Sequence, residues 1–209
     1  ERTLVDRLAP CHVVIGYDFF FGKGRSGTAD TMREAGARLG FGVSVIAPVA
    51  EDGEVFSSTA IRLKLAQGDI RGATSALGRP WRGVGTVTGG AKRGTGLGFP
   101  TANITLDPGT SLAHGIYAVW AEVDGARHMA AAYLGTRPPF DNGAPVLEVF
   151  LLDFDGDLYG RELSVVFSDH LRADRRFDSI EALKTQMSID CDAARTVLRA
   201  DTAATGCAG

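Results

Sequence analysis

A chain of 209 residues suits one large domain or two small ones and leaves room for a sizeable core. With 44% hydrophobic and 22% charged residues and a mean hydropathy of +0.03, the composition is that of a soluble globular protein, and no apolar run approaches the ~20 residues that span a bilayer, which argues against membrane insertion. A formal charge of −3 offers no basic field to neutralise a phosphate backbone, so nucleic acid is a poor partner; three distant cysteines, Cys11, Cys191 and Cys207, form neither a disulfide framework nor a zinc pair and fit a reducing cytoplasm.

The chain opens on Glu1 rather than Met, with Leu4, Val5 and Leu8 at helical spacing and none of the features of a signal peptide, so an upstream segment is expected. Residues 12–16 read as a short apolar strand, residues 28–39 as a helix and residues 41–47 as a second strand, an alternation that points to a parallel sheet covered by helices. Two strands alone are marginal. The segment is therefore expected to be the rear of a nucleotide-binding α/β domain. From residue 58 to 77, Ile61, Leu63, Leu65 and Ile70 accompany Ala and Arg, with Gly68-Asp69 breaking the run into two short helices. After Leu77-Gly-Arg-Pro80 the pattern turns to β, with strands expected at 82–88, 115–123, 128–134, 146–154 and 163–168. Their short length and Gly, Pro and Asp turns suggest a closed antiparallel barrel. Helical patterns follow at 179–188, capped by Asp178 or Ser179, and at 190–200; residues 202–209 are expected to be a disordered tail. No internal repeat is present.

Four segments carry candidate chemistry. Gly22-Lys-Gly-Arg-Ser-Gly27 matches a dinucleotide fingerprint, but five residues separate it from the strand and Glu51-Asp52 lies beyond Pro48; a solvated surface loop or a basic loop beside a nucleotide phosphate fits as well. At Ser57-Ser-Thr-Ala-Ile-Arg62, hydroxyls at a helix start and Arg62 one turn on could cradle a phosphate, with Ser58, Thr59 and Arg62 as candidates, and a plain helix cap fits equally. Residues 89–103 hold five glycines that let backbone N–H groups approach phosphates, without a P-loop pattern. Gly89, Lys92, Gly94 and Gly98 are the candidate phosphate-binding residues there. Pro100 holds the backbone extended, so Thr101 and Asn103 project to one side and offer oxygens suited to Mg²⁺ beside ATP; a simple turn is the alternative. In the strand around Glu148, alternation sets Leu147, Val149 and Leu151 on one face and Glu148 with Phe150 and Leu152 on the other. Desolvation there suits a base that takes a hydroxyl proton near neutral pH, while an exposed strand-end carboxylate would need no such role. Asp153, Asp155 and Asp157 are spaced like the start of a calcium loop, but the twelfth-position Glu is missing, and they read as a turn.

Taken together, Gly98-Phe-Pro-Thr-Ala-Asn103, Leu134-Gly-Thr-Arg-Pro138, Glu148 in its strand, Asp153-Phe-Asp-Gly-Asp-Leu-Tyr-Gly160 and Leu171-Arg172 through Phe177 resemble bacterial riboflavin kinases. Residues 1 to about 77 resemble the rear of the FMN adenylyltransferase domain of bifunctional FAD synthetases, through Val14-Ile-Gly-Tyr-Asp-Phe19, Phe21-Gly-Lys-Gly-Arg25 and Ser57 to Arg62. The resemblance implies an α+β chain: a partial α/β, Rossmann-like nucleotidyltransferase domain over 1–77, and a six-stranded antiparallel β-barrel kinase domain with C-terminal helices over 78–201. It also implies that Thr101 and Asn103 bind Mg²⁺-ATP, that Glu148 activates the ribityl 5′-hydroxyl of riboflavin to give FMN and ADP, and that Arg172 lies near the bound ligands. A flavin- or nucleotide-binding barrel without chemistry is the alternative. Thr95, Tyr133, Pro139, Tyr17 and Phe150 stand where the family often has Arg, Asn, Thr, Glu and His. None of His12, His114, His128 and His170 belongs to the His-x-Gly-His motif of these adenylyltransferases, so conversion of FMN to FAD is expected to be absent from this chain.

Overall fold

Two strands that pair in parallel need a crossover between them, usually a helix, and the first part of the chain is built that way. The computed structural model describes residues 4–51, 54–89, 99–107, 109–136 and 145–206. They divide into two compact units, 1–56 and 57–209. In the first, β1 (His12–Gly16) pairs in parallel with β2 (Gly42–Ile46), with His12 opposite Gly42. Between them α1 (Ala29–Leu39) starts at a capping box made by Thr28 and Thr31 and stops at Gly40, whose φ of 82° is left-handed. Ile15, Met32 and Phe41 form the core of this unit. A two-residue ladder, β3 (Ala50–Glu51) with β4 (Glu54–Val55), follows and carries no strand-length pattern in the sequence. The Gly22 to Gly27 segment folds back on itself: the Phe21 and Gly27 backbones exchange hydrogen bonds of 3.0 and 2.9 Å, and a Cβ on Gly27 would lie 2.6 Å from the Phe21 ring. That glycine accommodates a ring of its own loop, and the loop does not run from strand into helix as a dinucleotide turn does.

The second unit begins with α2 (Ser58–Ala66) and α3 (Ile70–Leu77). Leu65, Ile70 and Ala73 are buried in the barrel core. These helices therefore pack with the barrel, although the sequence pattern groups them with the α/β segment before residue 77. The barrel strands are β5 (Arg82–Thr86), β6 (Ala102–Thr105), β7 (Gly115–Val123), β8 (Ala126–Thr136), β9 (Pro145–Leu151) and β10 (Glu162–Ala173), in the spatial order β5-β10-β7-β8-β9-β6 and antiparallel throughout. Inward residues alternate along the strands, with Tyr117, Leu147, Val149, Leu163, Val165 and Phe167 nearly or fully buried. The two edge strands close on each other through an antiparallel bridge between Thr88 and Asn103, with the Thr88 N–H donating to the Asn103 carbonyl at 2.9 Å. Gly85 permits that approach, because a Cβ there would sit 3.3 Å from the Thr105 carbonyl and from Ile104.

Three expectations need correction. The sequence pattern shows five strands, and β6 is the one it hides: four residues, three of them buried, with no alternation to read. The two expected C-terminal helices are one, α4 (Ile180–Gly206), opened by the Ser179 hydroxyl, which accepts from the Ala182 N–H at 3.1 Å. Asp190 looks like a helix start in the sequence, yet its carboxylate is bonded to Arg172 and Gln186 and caps nothing. The tail expected to be disordered from residue 202 is helical through Gly206. Cys191, Ala194 and Leu198 anchor α4 against the outward faces of Ala118 and Ala131.

Candidate active site

The site grows from the outward face of β9. While Leu147, Val149 and Leu151 enter the barrel core, Glu148 and Phe150 point the other way, half-buried. Antiparallel register sets Asn103 of β6 opposite Glu148 on one side and Tyr133 of β8 opposite it on the other. Pro100 precedes Thr101, whose hydroxyl donates to Glu148 Oε2 at 3.3 Å, and Asn103 Nδ2 donates to the Thr101 carbonyl at 3.4 Å. Residues far apart in sequence thereby become one oxygen-rich cluster.

Two cavities meet at Thr101. The first, about 300 Å³, has Glu148 and Arg172 among apolar walls that include Phe99, Phe150, Phe177 and Met187. Phe99 and Phe150 pack edge to face, with ring centroids 5.3 Å apart. The second, about 220 Å³, lies between Pro100 and the Asp155 to Tyr159 turn, with Val87, Phe154 and Leu158 as apolar surface. Gly89 stands beside this cavity, its Cβ position 4.0 Å from the Tyr159 ring. An apolar, ring-sized chamber and a smaller mixed one, meeting at the Thr101 hydroxyl beside Glu148, can hold two ligands with their reactive ends together.

Arg172 reaches the first cavity because β10 is bulged. Register slips between Phe167 and Asp169, and again between His170 and Arg172, turn the end of the strand toward α4. There Nε and Nη2 donate to the two oxygens of Asp190 at 2.9 and 2.7 Å. The guanidinium lies 5.8 Å from the Phe177 ring, and that of Arg175 lies 4.8 Å from the same ring.

The expected site residues thus fall into three groups. Thr101, Asn103 and Glu148 come together, and Arg172 lines the same cavity as Glu148. Ser58, Thr59 and Arg62 are exposed on α2 and line neither cavity; the cap is Ser57, whose hydroxyl accepts from the Ala60 N–H at 3.1 Å. Lys92, Gly94 and Gly98 lie outside the described residues. The three spaced aspartates do form a turn: Asp153 pairs with Arg195 at 2.9 Å, and Asp157 accepts from the Tyr159 N–H. Among the described residues no group of three or more His, Cys, Asp or Glu side chains could hold a metal by itself. Sequence reasoning missed Leu183, Met187 and Cys191, an i, i+4, i+8 stripe that reads as ordinary core packing but lines the first cavity. Tyr133, visible in the sequence only as a departure from the family, lines this cavity too, and its hydroxyl donates to Asp174 at 3.1 Å.

Burial pushes the Cys191 thiol from its ordinary value of 9.0 up to about 11, and burial also raises the Tyr117 phenol. Both neutral forms are favoured in the folded state. Their contribution to stability is present in full below the unfolded values and is lost as pH climbs through the folded ones, so the melting temperature is expected to fall from about pH 9 toward pH 11. Peptide mapping after iodoacetamide treatment at pH 7.5 checks the same point: Cys191 should stay unmodified in native protein and react on unfolding.

Comparison with known proteins matches the two parts of the chain to different family models. The family model for riboflavin kinase matches residues 77–198, and that for FAD synthetase matches residues 1–60. The bifunctional riboflavin kinase/FMN adenylyltransferase of Pseudomonas fluorescens is 43% identical over 198 residues, 94% of this chain and 64% of that protein. The Escherichia coli K12 protein of the same description is 38% identical over 188 residues, 90% of this chain and 60% of its own. The chain therefore spans less than two thirds of the length of these relatives. A crystal structure from Streptococcus pneumoniae, described as a macrolide-efflux protein, aligns with a TM-score of 0.72 at 32% identity over 87% of this chain and 60% of that one. Among the described residues of this chain, no helix is long and apolar enough to cross a membrane.

Proposed function

The chain belongs to the riboflavin kinase family, and on that premise we propose that it transfers the γ-phosphoryl group of ATP to the ribityl 5′-hydroxyl of riboflavin, giving FMN and ADP. The observation that carries this reading is the meeting of two cavities at Thr101, with Glu148 on the wall of the larger one. The phenylalanine-lined cavity suits a planar isoalloxazine, and the cavity under the Asp155 to Tyr159 turn suits the nucleotide. Each ligand then presents its reacting end at Thr101, Asn103 and Glu148. Phosphoryl transfer asks mainly for this alignment and for charge neutralisation. As the 5′-oxygen bonds to the γ-phosphorus and the bond to ADP breaks, Glu148 accepts the hydroxyl proton.

The Thr101 hydroxyl and the Asn103 amide oxygen are hard donors that fit Mg²⁺, an ion that takes few protein ligands and completes its shell with water and phosphate oxygens. When bound, Mg²⁺ neutralises charge on the transferring phosphoryl group. The FAD synthetase model matches residues 1–60, and residues 1–209 contain no His-x-Gly-His segment.

Incubation with riboflavin and Mg²⁺-ATP, scored chromatographically for FMN and FAD together, tests the reading. FMN without FAD is expected, and FMN plus ATP should give no FAD from this polypeptide. Quenching of riboflavin fluorescence with no FMN formed would identify a binding barrel without chemistry.

A further inference from the structure

Asp190 and Asn103 are the buried polar side chains among the described residues, at 5% and 7% exposure. Asn103 belongs to the cluster around Glu148. Asp190 lies outside that cluster, although it lines the same cavity as Glu148 and Arg172, and nothing in helix formation calls for a carboxylate in the middle of α4. Buried ion pairs are poor stabilisers, since desolvation cancels much of the attraction and well-packed apolar residues often do as well. What an ion pair of this geometry supplies is direction.

Every bond around Asp190 restricts the direction of one group, the Arg172 guanidinium. Asp190 holds its Nε and Nη2, and the Ala173 carbonyl takes a hydrogen from Nη1 at 3.0 Å. One hydrogen on Nη1 and one on Nη2 remain, on a side chain that lines the cavity with Glu148. Gln186, one helical turn before Asp190, donates to Asp190 Oδ1 at 2.8 Å and accepts from Arg175, so its amide is fixed from both ends and steadies the carboxylate. The Phe177 ring closes the arrangement against both guanidinium groups.

We propose that Asp190, supported by Gln186, is a positioning residue: through Arg172 it aims two guanidinium N–H groups at an anionic oxygen of the ligands that meet beside Glu148. This rests on the kinase reading above. The C-terminal helix is thereby part of the reaction geometry as well as a cover for the barrel. Misplacement of such a donor by about 1 Å is enough to cost on the order of 100-fold in rate.

The test is a double-mutant cycle on FMN formation, with kcat and the KM for riboflavin measured separately. Asp190→Asn keeps the shape and removes the charge; kcat is expected to fall about 10–100-fold with KM nearly unchanged. Arg172→Lys keeps a charge opposite Asp190 but loses the planar fork, and should fall to a similar level. The double variant should be no worse than the poorer single one, because both changes remove one interaction. Losses that multiply in the double variant, or full rate in Asp190→Asn, overturn the proposal. Should circular dichroism show that these variants do not fold, Gln186→Leu leaves the ion pair in place and loosens only its orientation: a several-fold lower kcat at unchanged melting temperature is expected, and an unchanged kcat overturns the idea. Wild-type protein that binds riboflavin without forming FMN would remove the kinase reading and this inference with it, whereas an active wild type with insensitive variants removes this inference alone.

Discussion

Replacing Glu148 by glutamine is expected to leave riboflavin binding nearly intact and to lower the rate of FMN formation by about 10²–10³-fold. Glutamine has almost the same shape, and its carbonyl can still accept the Thr101 hydroxyl now bonded to Glu148 Oε2. It lacks only a site for the proton. Positioned general bases contribute typically about 10²–10⁴-fold, and the loose transition state of phosphoryl transfer asks for proton removal late, which places the expectation in the lower part of that range. Fluorescence titration with riboflavin separates binding from turnover, and single-turnover FMN formation measures the step itself. A variant with wild-type rate would take Glu148 out of the mechanism.

The second large effect concerns Thr101, which belongs to both cavities and so discriminates between the ligands. Thr101→Ala is expected to raise the KM for Mg²⁺-ATP by about 10–100-fold, the usual loss when a metal environment is stripped of one supporting group, while the Kd for riboflavin changes little. Thr101→Ser restores the hydroxyl and should recover most of the loss. Equal weakening of both ligands would show that Thr101 shapes the cavities without serving Mg²⁺-ATP.

How these residues find one another explains which parts of the structure could be read from the sequence. The inward and outward faces of β9 follow from strict alternation, and the helix break at Gly68-Asp69 follows from a glycine that takes a left-handed φ and an aspartate that caps the next helix. Thr101, Asn103 and Glu148 are individually visible as chemistry-bearing residues, but their convergence depends on the pairing of β6 with β9 across more than forty residues of sequence, and local periodicity carries no information about such a partner. The strand that supplies Asn103 is also too short to alternate. Asp190 fails for a different reason. Aspartate beside Ser188 and Ile189 has the composition of a helix start, and only the bulged end of β10, bringing Arg172 alongside, makes a mid-helix carboxylate favourable. The misread tail has an equally local cause: Ala203 and Ala204 are strong helix formers, Thr202 bonds back to the Leu198 carbonyl, and buried Leu198 secures the preceding turn. The helices α2 and α3 are legible as helices, but only the burial of Ile70 and Ala73 shows that they pack with the barrel.

The bridge between Thr88 and Asn103 gives the barrel a seam, since the chain just beyond β5 meets β6 there in a point contact while every other neighbouring pair shares a ladder. The same Asn103 that closes the seam through its backbone stands opposite Glu148. On the proposed function, ligands gathered at Thr101 and Asn103 would act as a staple beside this seam. Substrate occupancy and barrel closure would then be one linked equilibrium, in which each ligand that binds only the closed form adds RT ln(1 + [L]/Kd) to its stability.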